Sequence, residues 1–369
     1  MQIVFRTDAS LQIGTGHVMR CLTLADMLRA NGAKCRFICR EHPGNLLEQI
    51  RLRGYAAKGL PVDACEFAFG DPAYILQSNH SAWLGSDWVT DAEQTKVGAG
   101  ETAVDWLIVD HYALDARWEQ ALRSKCRNLM VIDDLADRPH DCDLLLDQNL
   151  GRKSDDYFDL VPDDCIVLAG PRNALLRSEF AALRGYSLDR RASPKLDHLL
   201  ITMGGVDQAD ATGQILEALM DCRFPENFHI TVVMGPHAPW LERVKLLAAK
   251  MLPPTEVKVN VQDMAKLMAN SDLAIGAGGS TSWERCCLGL PSVIGVFADN
   301  QKSIADALQL AGAVKVFGGV AAITLINKLL NELLNDLGAL AKMSVCAAGV
   351  ADGHGTESVA ARLLATVRT

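Results

Sequence analysis

No stretch of the chain approaches the ~18 consecutive apolar residues of a membrane span. The longest apolar runs, such as Trp106–Val109 and Leu144–Leu146, are far shorter. The start, Met1-Gln2-Ile3-Val4-Phe5-Arg6, lacks the charged n-region, apolar h-region and cleavage site of a secretory signal. There is no basic block. Lys and Arg number 36 against 45 Asp and Glu, a net charge of −9, which argues against wrapping a nucleic acid polymer. That sign leaves small anionic ligands open, because backbone amides at helix starts bind phosphate locally. No CxxC pair is present. The 11 cysteines, among them Cys35-x3-Cys39 and vicinal Cys286-Cys287, are irregularly spaced and read as reduced, mostly buried thiols of a cytosolic protein. Clustered Cys and His ligands, HxH and HExxH are all missing, so no metal ligand set is expected. A Walker A loop and a GxGxxG fingerprint are missing as well, which removes the commonest phosphate-loop and dinucleotide sites.

What is there is an ordinary globular composition, 49% hydrophobic and 22% charged, over 369 residues. At ~150 residues per domain this length implies two domains. Short β-rich runs alternate with helical stretches. In the first half the runs are Ile3–Phe5, Cys35–Cys39, Trp106–Asp110, Leu129–Asp133, Leu144–Asp147 and Ile166–Ala169. Val18, Cys21, Leu22, Ala25 and Leu28 recur at helical spacing until Gly32. The second half repeats the scheme with runs at His198–Met203, Ile230–Met234, Val257–Val261, Leu273–Ala277 and Ser292–Val296. The polar stretch Arg184 to Lys195 reads as a linker, and residues 56–101 as loop-rich elaboration. The expected fold is α/β: two doubly wound Rossmann-like domains, 1–190 and 191–369, facing across a cleft, the last helix packing back on the first domain. Ligands of such sheets sit beyond the carboxyl ends of strands.

Three glycine loops lie in such places. Gly14-Thr15-Gly16-His17-Val18-Met19-Arg20 follows the first strand and puts a histidine at a helix start. The helix dipole disfavours a charged imidazole there, and a neutral ring can take a proton from water as a general base. A capping or loop histidine is the other reading, and spacing leaves both open. Met203-Gly204-Gly205-Val206-Asp207 follows a strand of the second domain. Gly276-Ala277-Gly278-Gly279-Ser280-Thr281-Ser282-Trp283-Glu284 follows another and opens a helix, a pattern that offers free N–H groups to a diphosphate. Glu284, three residues after Thr281, is either half of a capping box or a carboxylate that accepts hydrogen bonds from a ribose diol. Asp110-His111-Tyr112 and Asp133-Asp134 also follow strands and read as polar rim or helix caps.

Together these residues carry a resemblance. Arg6-Thr7-Asp8-Ala9-Ser10 through Gly14-Thr15-Gly16-His17-Val18-Met19-Arg20-Cys21-Leu22 resembles the UDP-2,4-diacetamido-2,4,6-trideoxy-β-L-altropyranose hydrolases of pseudaminic acid biosynthesis. So do Val109-Asp110-His111-Tyr112, Ile132 to Arg138, Asp147-Gln148-Asn149 and Gly278 to Arg285. The resemblance spans nearly the whole chain, departing where Asn173 replaces an aromatic and Ser178 a proline. It implies a GT-B fold, akin to the UDP-N-acetylglucosamine transferase of peptidoglycan synthesis. It also implies release of UDP by C–O cleavage with anomeric inversion, without a cofactor. By motif, His17 would activate water, Tyr112 would lie against the sugar or phosphate, and Asn300 would orient substrate. Gly278, Gly279, Ser280 and Glu284 would hold UDP, and Gly14, Gly16, Arg20, Asp110, Gly204, Gly205 and Gln301 would complete the substrate site. The partner is then a UDP-activated diacetamido-trideoxy sugar, and the protein a monomer. A UDP-sugar-dependent glycosyltransferase of the same fold is the alternative, and a non-catalytic nucleotide-sugar binder the third reading.

Overall fold

The computed structural model describes residues 1–62, 80–236, 238–318 and 323–366, apart from the side chains of Asp299 and Asn300. The chain divides into two compact units, Met1–Leu175 with Gly355–Thr369, and Leu176–His354.

The first unit is built on an all-parallel sheet. Its strands are β1 (Gln2–Thr7), β2 (Lys34–Arg40), β3 (Ala56–Leu60), β4 (Val104–Asp110), β5 (Cys126–Ile132), β6 (Leu144–Asp147) and β7 (Ile166–Ala169), in the order β3-β2-β1-β4-β5-β6-β7. Order reverses at β1, which pairs with β2 on one side and β4 on the other. The strands are apolar on both faces because helices cover both. Alternate residues therefore enter different cores. Ile3, Phe5, Trp106, Ile108, Met130 and Ile132 pack with Val18, Leu22 and Leu28 of the helix Gly16–Ala30. Val4, Leu107, Val109, Leu129 and Val131 pack with Ala92 and Trp118 on the opposite face. The closing helix Gly355–Thr366 belongs to this unit, and Leu363 accepts a hydrogen bond from the Trp106 indole at 3.1 Å.

The second unit carries a parallel sheet of β8 (His198–Thr202), β9 (His229–Met234), β10 (Thr255–Val259), β11 (Leu273–Ala277), β12 (Ser292–Val296) and β13 (Val314–Gly318), ordered β10-β9-β8-β11-β12-β13. Here β8 is the reversal point, flanked by β9 and β11. Leu199, Ile201, Ile230, Val232, Leu273 and Ile275 form its core with the helix Ala211–Leu219. Among the described residues no helix is long and apolar enough to cross a membrane, and each cysteine is free.

The linker reading is corrected. Residues 184–191 lie inside the helix Ser178–Arg191, and the unit division falls ahead of it, between Leu175 and Leu176. The polar composition misleads because Arg184 and Arg191 turn inward and donate to carbonyls. Arg191 reaches the carbonyls of Leu288, Ser271 and Met268 at 2.8–3.0 Å, and Arg184 those of Ala351 and Ala348 at 3.0 and 2.7 Å. Ser178 starts this helix. Residues 56–101 are more regular than expected, holding β3, a 3-10 turn at Ser81–Leu84 and the helix Trp88–Ala99. Residues 63–79 of that stretch lie outside the described residues.

Candidate functional site

Four strands of the first sheet deliver carboxylates at their carboxyl ends: Asp8 after β1, Asp110 ending β4, Asp133 and Asp134 after β5, and Asp147 ending β6. Parallel strands in register bring these ends to one edge, which is where ligands of such sheets bind. The helix that follows β1 starts there too. Gly14 turns the chain at φ +81°, a conformation L side chains rarely adopt, and Gly16 opens the helix. Thr15 caps that helix without a side-chain hydrogen bond.

His17 and Arg20 sit three residues apart on one face of this helix, so both reach the end of β4. The His17 Nδ1 lies 2.6 Å from Asp110 Oδ1. The Arg20 guanidinium grips the same carboxylate through Nε and Nη2, at 2.6 and 2.7 Å. Its Nη1 donates to Asp134 Oδ2 at 2.7 Å, which also accepts from the Tyr112 hydroxyl at 2.7 Å. The Tyr112 ring stands edge-on to the His17 imidazole, centroids 4.6 Å apart at 82°. Burial alone would raise the Asp110 carboxyl, but the charge of Arg20, then that of His17, holds it well below the usual carboxylate range. Asp110 is therefore an anion and accepts only. Facing an anion, Nδ1 carries a proton, so in the neutral form of the ring Nε2 holds the lone pair. Among the described residues Nε2 has no hydrogen-bond partner.

One expectation for this unit is corrected. Asp110 does not face a ligand: it is fully buried, and both its oxygens are occupied by His17 and Arg20. Its role is to hold the imidazole. Arg20 and the Tyr112 hydroxyl are likewise engaged by protein carboxylates, and burial followed by the charge of Asp134 raises the Tyr112 phenol well above its ordinary value.

Further residues join them. Asp134, which the sequence offers only as polar rim or helix cap, links Arg20, 114 residues away, to Tyr112. His80 and Trp83 lie against Tyr112, with centroids 5.2 and 5.8 Å from its ring, Trp83 stacked at 24°. Asp133 caps its own turn by accepting from the Ala136 amide at 2.8 Å, and the Tyr157 hydroxyl lies 2.9 Å from both Asp133 and Asp147. Burial, then the charge of Asp134, raises the Asp147 carboxyl to about 7. Among the described residues no group of three or more His, Cys, Asp or Glu side chains could hold a metal ion.

In the second unit the loop after β11 is the open feature. The Gly278 amide donates to Gly295 O, and those of Ser282 and Trp283 to Gly279 O and Ser280 O. The three consecutive amides of Gly279, Ser280 and Thr281 find no acceptor among the described residues. A Cβ built on Gly279 meets nothing within 4 Å. Glu284 projects from the short helix Thr281–Cys287, whose Ser280 cap makes no side-chain hydrogen bond, so the capping-box reading is not realised. Its carboxylate has no hydrogen-bond partner among the described residues, and burial raises it to about 7 against the lowering charges of Arg177 and Arg285. After β8, Gly204 turns at φ +101° with open space where a Cβ would point. Gly205 approaches Gly235 so closely that a side chain on the latter would strike its carbonyl. Asp207 then caps the helix Ala211–Leu219 through the Ala211 and Thr212 amides, both at 2.9 Å. Gln301 uses its side-chain oxygen on the Phe297 amide at 3.0 Å. Asn300 lies in the first turn of the helix Asp299–Leu310, and its side chain is outside the described residues.

No protein-family model matches the sequence. The chain is 24% identical over 299 residues to an uncharacterized protein of Methanocaldococcus jannaschii, covering 80% of this chain and about half, 55%, of that one. It is 27% identical over 312 residues to the UDP-2,4-diacetamido-2,4,6-trideoxy-beta-L-altropyranose hydrolase of Campylobacter jejuni, covering 85% of this chain and 97% of that protein. Among solved structures, MurG of Acinetobacter baumannii superposes with a TM-score of 0.70 at 17% identity, covering 99% of each chain. The fold is accordingly of the GT-B type, two Rossmann-like domains in one chain.

Proposed function

We propose that the chain is a nucleotide-sugar hydrolase that releases UDP from UDP-2,4-diacetamido-2,4,6-trideoxy-β-L-altropyranose with inversion at the anomeric carbon. The observation that carries this is the His17 ring, fixed through Nδ1 by a buried, ionised Asp110 so that Nε2 is left to accept a proton. The similarity to the Campylobacter hydrolase over nearly all of that protein's length supports the choice of substrate.

In this mechanism a water held at Nε2 attacks the anomeric carbon. Its proton passes to Nε2, and Asp110 stabilises the imidazolium that forms, much as a triad carboxylate does. The anomeric C–O bond breaks, and UDP departs with the electron pair. No electrons are exchanged with a third party, so the displacement needs no redox cofactor. UDP is already a good leaving group, and the protein has mainly to position water and meet the diphosphate charge. The amides of Gly279, Ser280 and Thr281 serve the diphosphate, assisted by the open loop at Gly204 and Gly205. Glu284 accepts hydrogen bonds from the ribose diol. Asn300 and Gln301 orient the sugar, and Tyr112, tied to Asp134, buttresses His17 from the side.

Proton NMR of the reaction tests the proposal. With the UDP-sugar and no acceptor, UDP and the free sugar of inverted anomeric configuration appear together. His17→Asn loses turnover by about 10²–10⁴-fold while UDP affinity stays within twofold. If UDP forms only after an acceptor sugar is added, the transferase reading on the same fold takes its place. If wild type binds the UDP-sugar and never turns it over, the chain is a binder.

A further inference from the structure

Among the described residues three arginines are fully buried: Arg6, Arg40 and Arg285. The first two are answered by carboxylates. Arg6 pairs with Asp8 and Asp91, each at 2.6 Å, and Arg40 pairs with Asp91 at 2.6 Å. Arg285 makes no ion pair among the described residues; the neighbouring Glu284 carboxyl acts on it without direct contact. Its Nη2 donates to Ala277 O and Ser282 Oγ, both at 2.9 Å, and its Nη1 reaches Thr281 Oγ1 at 3.5 Å. Its Nε has no hydrogen-bond partner among the described residues. Neutral oxygens satisfy part of a guanidinium's donor set but none of its charge, and a buried charge without a counter-ion is costly. Burial lowers the basicity of the group to about 10, so it remains a cation at neutral pH.

Its position gives that cost a use. Ala277, Thr281 and Ser282, the residues it holds, flank the loop whose amides at Gly279, Ser280 and Thr281 lack acceptors. The guanidinium therefore ties the two ends of that loop together. Gly276 keeps the place open: a Cβ there would run into Arg285 Nη1, and the backbone oxygen of Thr202 closes the other side. We propose that Arg285 is the buried counter-charge for the nucleotide diphosphate, acting through the glycine loop whose ends it holds and positioning the loop amides, while Gly276 makes room for it. This inference rests on the reading of that loop as the diphosphate site.

Isothermal titration with UDP, uridine and inorganic pyrophosphate separates the two. Arg285→Gln, which keeps a donor for Ala277 O and removes the charge, is expected to weaken UDP and pyrophosphate at least tenfold while uridine stays within twofold. Arg285→Lys restores the charge and holds UDP within about threefold of wild type. Equal losses for UDP and uridine in the Gln variant, or a Lys variant as weak as Gln, overturn the proposal and leave Arg285 a structural brace. If the Gln variant does not fold, the Lys variant decides alone, since UDP affinity lost in a folded, charged variant contradicts counter-charge action. A wild type that binds pyrophosphate but not UDP removes the UDP reading and spares Arg285. A wild type that binds neither removes both.

Discussion

At the carboxyl end of the first sheet, the ionisable groups His17, Arg20, Asp110 and Asp134 answer one another through ion pairs and hydrogen bonds, whereas at the carboxyl end of β11, among the described residues, the amides of Gly279, Ser280 and Thr281 find no acceptor, Glu284 has no hydrogen bond and Arg285 donates only to neutral oxygens. Both sites stand on the same architecture, a glycine-bearing loop between a parallel strand and a helix. The difference fits the proposed division of labour. A reacting group is useful only when its tautomer and aim are fixed before the substrate arrives, so its surroundings are closed with ion pairs. A binding group contributes most when its partner is the ligand, so it stays unsatisfied and costs stability while it waits. The closed site should therefore lose both folding stability and turnover when cut, and the open site should gain stability and lose affinity.

The largest effect is expected from opening the closed site. Asp110→Asn leaves Arg20 buried without one of its two carboxylates and lets His17 present the wrong tautomer. Unfolding free energy in urea should fall by about 3–5 kcal/mol, the usual cost of breaking a buried pair. Turnover, corrected for folded fraction, should fall by about 10²–10⁴-fold, with UDP affinity unchanged. A turnover loss no greater than the loss of folded protein would show that Asp110 is a brace and nothing more. The depressed pKa gives the sign of the pH dependence. This carboxylate's stabilisation is present above its ordinary value of 3.8 and is lost as pH falls toward its folded value.

Glu284 makes the opposite case in the open site. Its carboxyl is raised from 4.5 to about 7 by burial. Below pH 4.5 it is protonated folded and unfolded and costs nothing. Between 4.5 and about 7 the unfolded chain ionises while the folded one holds its proton, so stability falls as pH rises. Glu284→Gln removes that fall. The ligand-free variant should be more stable than wild type at pH 7.5, on the order of 1–3 kcal/mol, and equal to it at pH 4. Thermal melts at both values check this. A variant as pH-dependent as wild type would mean that the carboxylate carries no such cost.

The contrast between the sites also explains what the sequence discloses. Strand positions were readable because buried parallel strands are short apolar runs, and the loops around His17 and Gly278–Gly279 because glycines and a helix-start histidine are local signals. Asp110 was visible as a polar residue at a strand end, but its duty was not, since its partners are 93 and 90 residues away. Asp134 was visible in the same way and its duty hidden for the same reason, whereas His80 and Trp83 gave no signal because ring packing has no period. The stretch Arg184 to Lys195 reads as a linker, although its first eight residues are helical, because arginines that end on carbonyls look, in composition, like solvated ones. Arg285 shows the limit most plainly: nothing in its sequence neighbourhood tells a paired buried arginine from an unpaired one.

A smaller effect is expected at Gly279. Open space at its Cβ means that alanine fits the folded protein, so Tm should stay within about 1 °C of wild type, in line with the small effects of substitutions that break no packing. A methyl group over the loop amides would nevertheless hold a diphosphate off, and UDP should bind about tenfold more weakly, close to 1.4 kcal/mol. Unchanged UDP affinity in Gly279→Ala would mean that these amides face something other than the nucleotide.

The smallest effect tests whether the closed site is closed throughout or only along His17–Asp110. Tyr112→Phe keeps the ring beside His17 and deletes the hydroxyl that donates to Asp134. Asp134 Oδ2 retains Arg20 Nη1 at 2.7 Å, so its charge stays answered. The cost in urea unfolding should therefore be that of one hydrogen bond to a charged acceptor, about 1–2 kcal/mol, and turnover should fall less than about tenfold, well short of the range for losing an acid–base group. A turnover loss as large as that of Asp110→Asn, with UDP affinity intact, would extend the essential network through Asp134 to the phenol, and would make Tyr112 a participant in the chemistry as well as its lateral support.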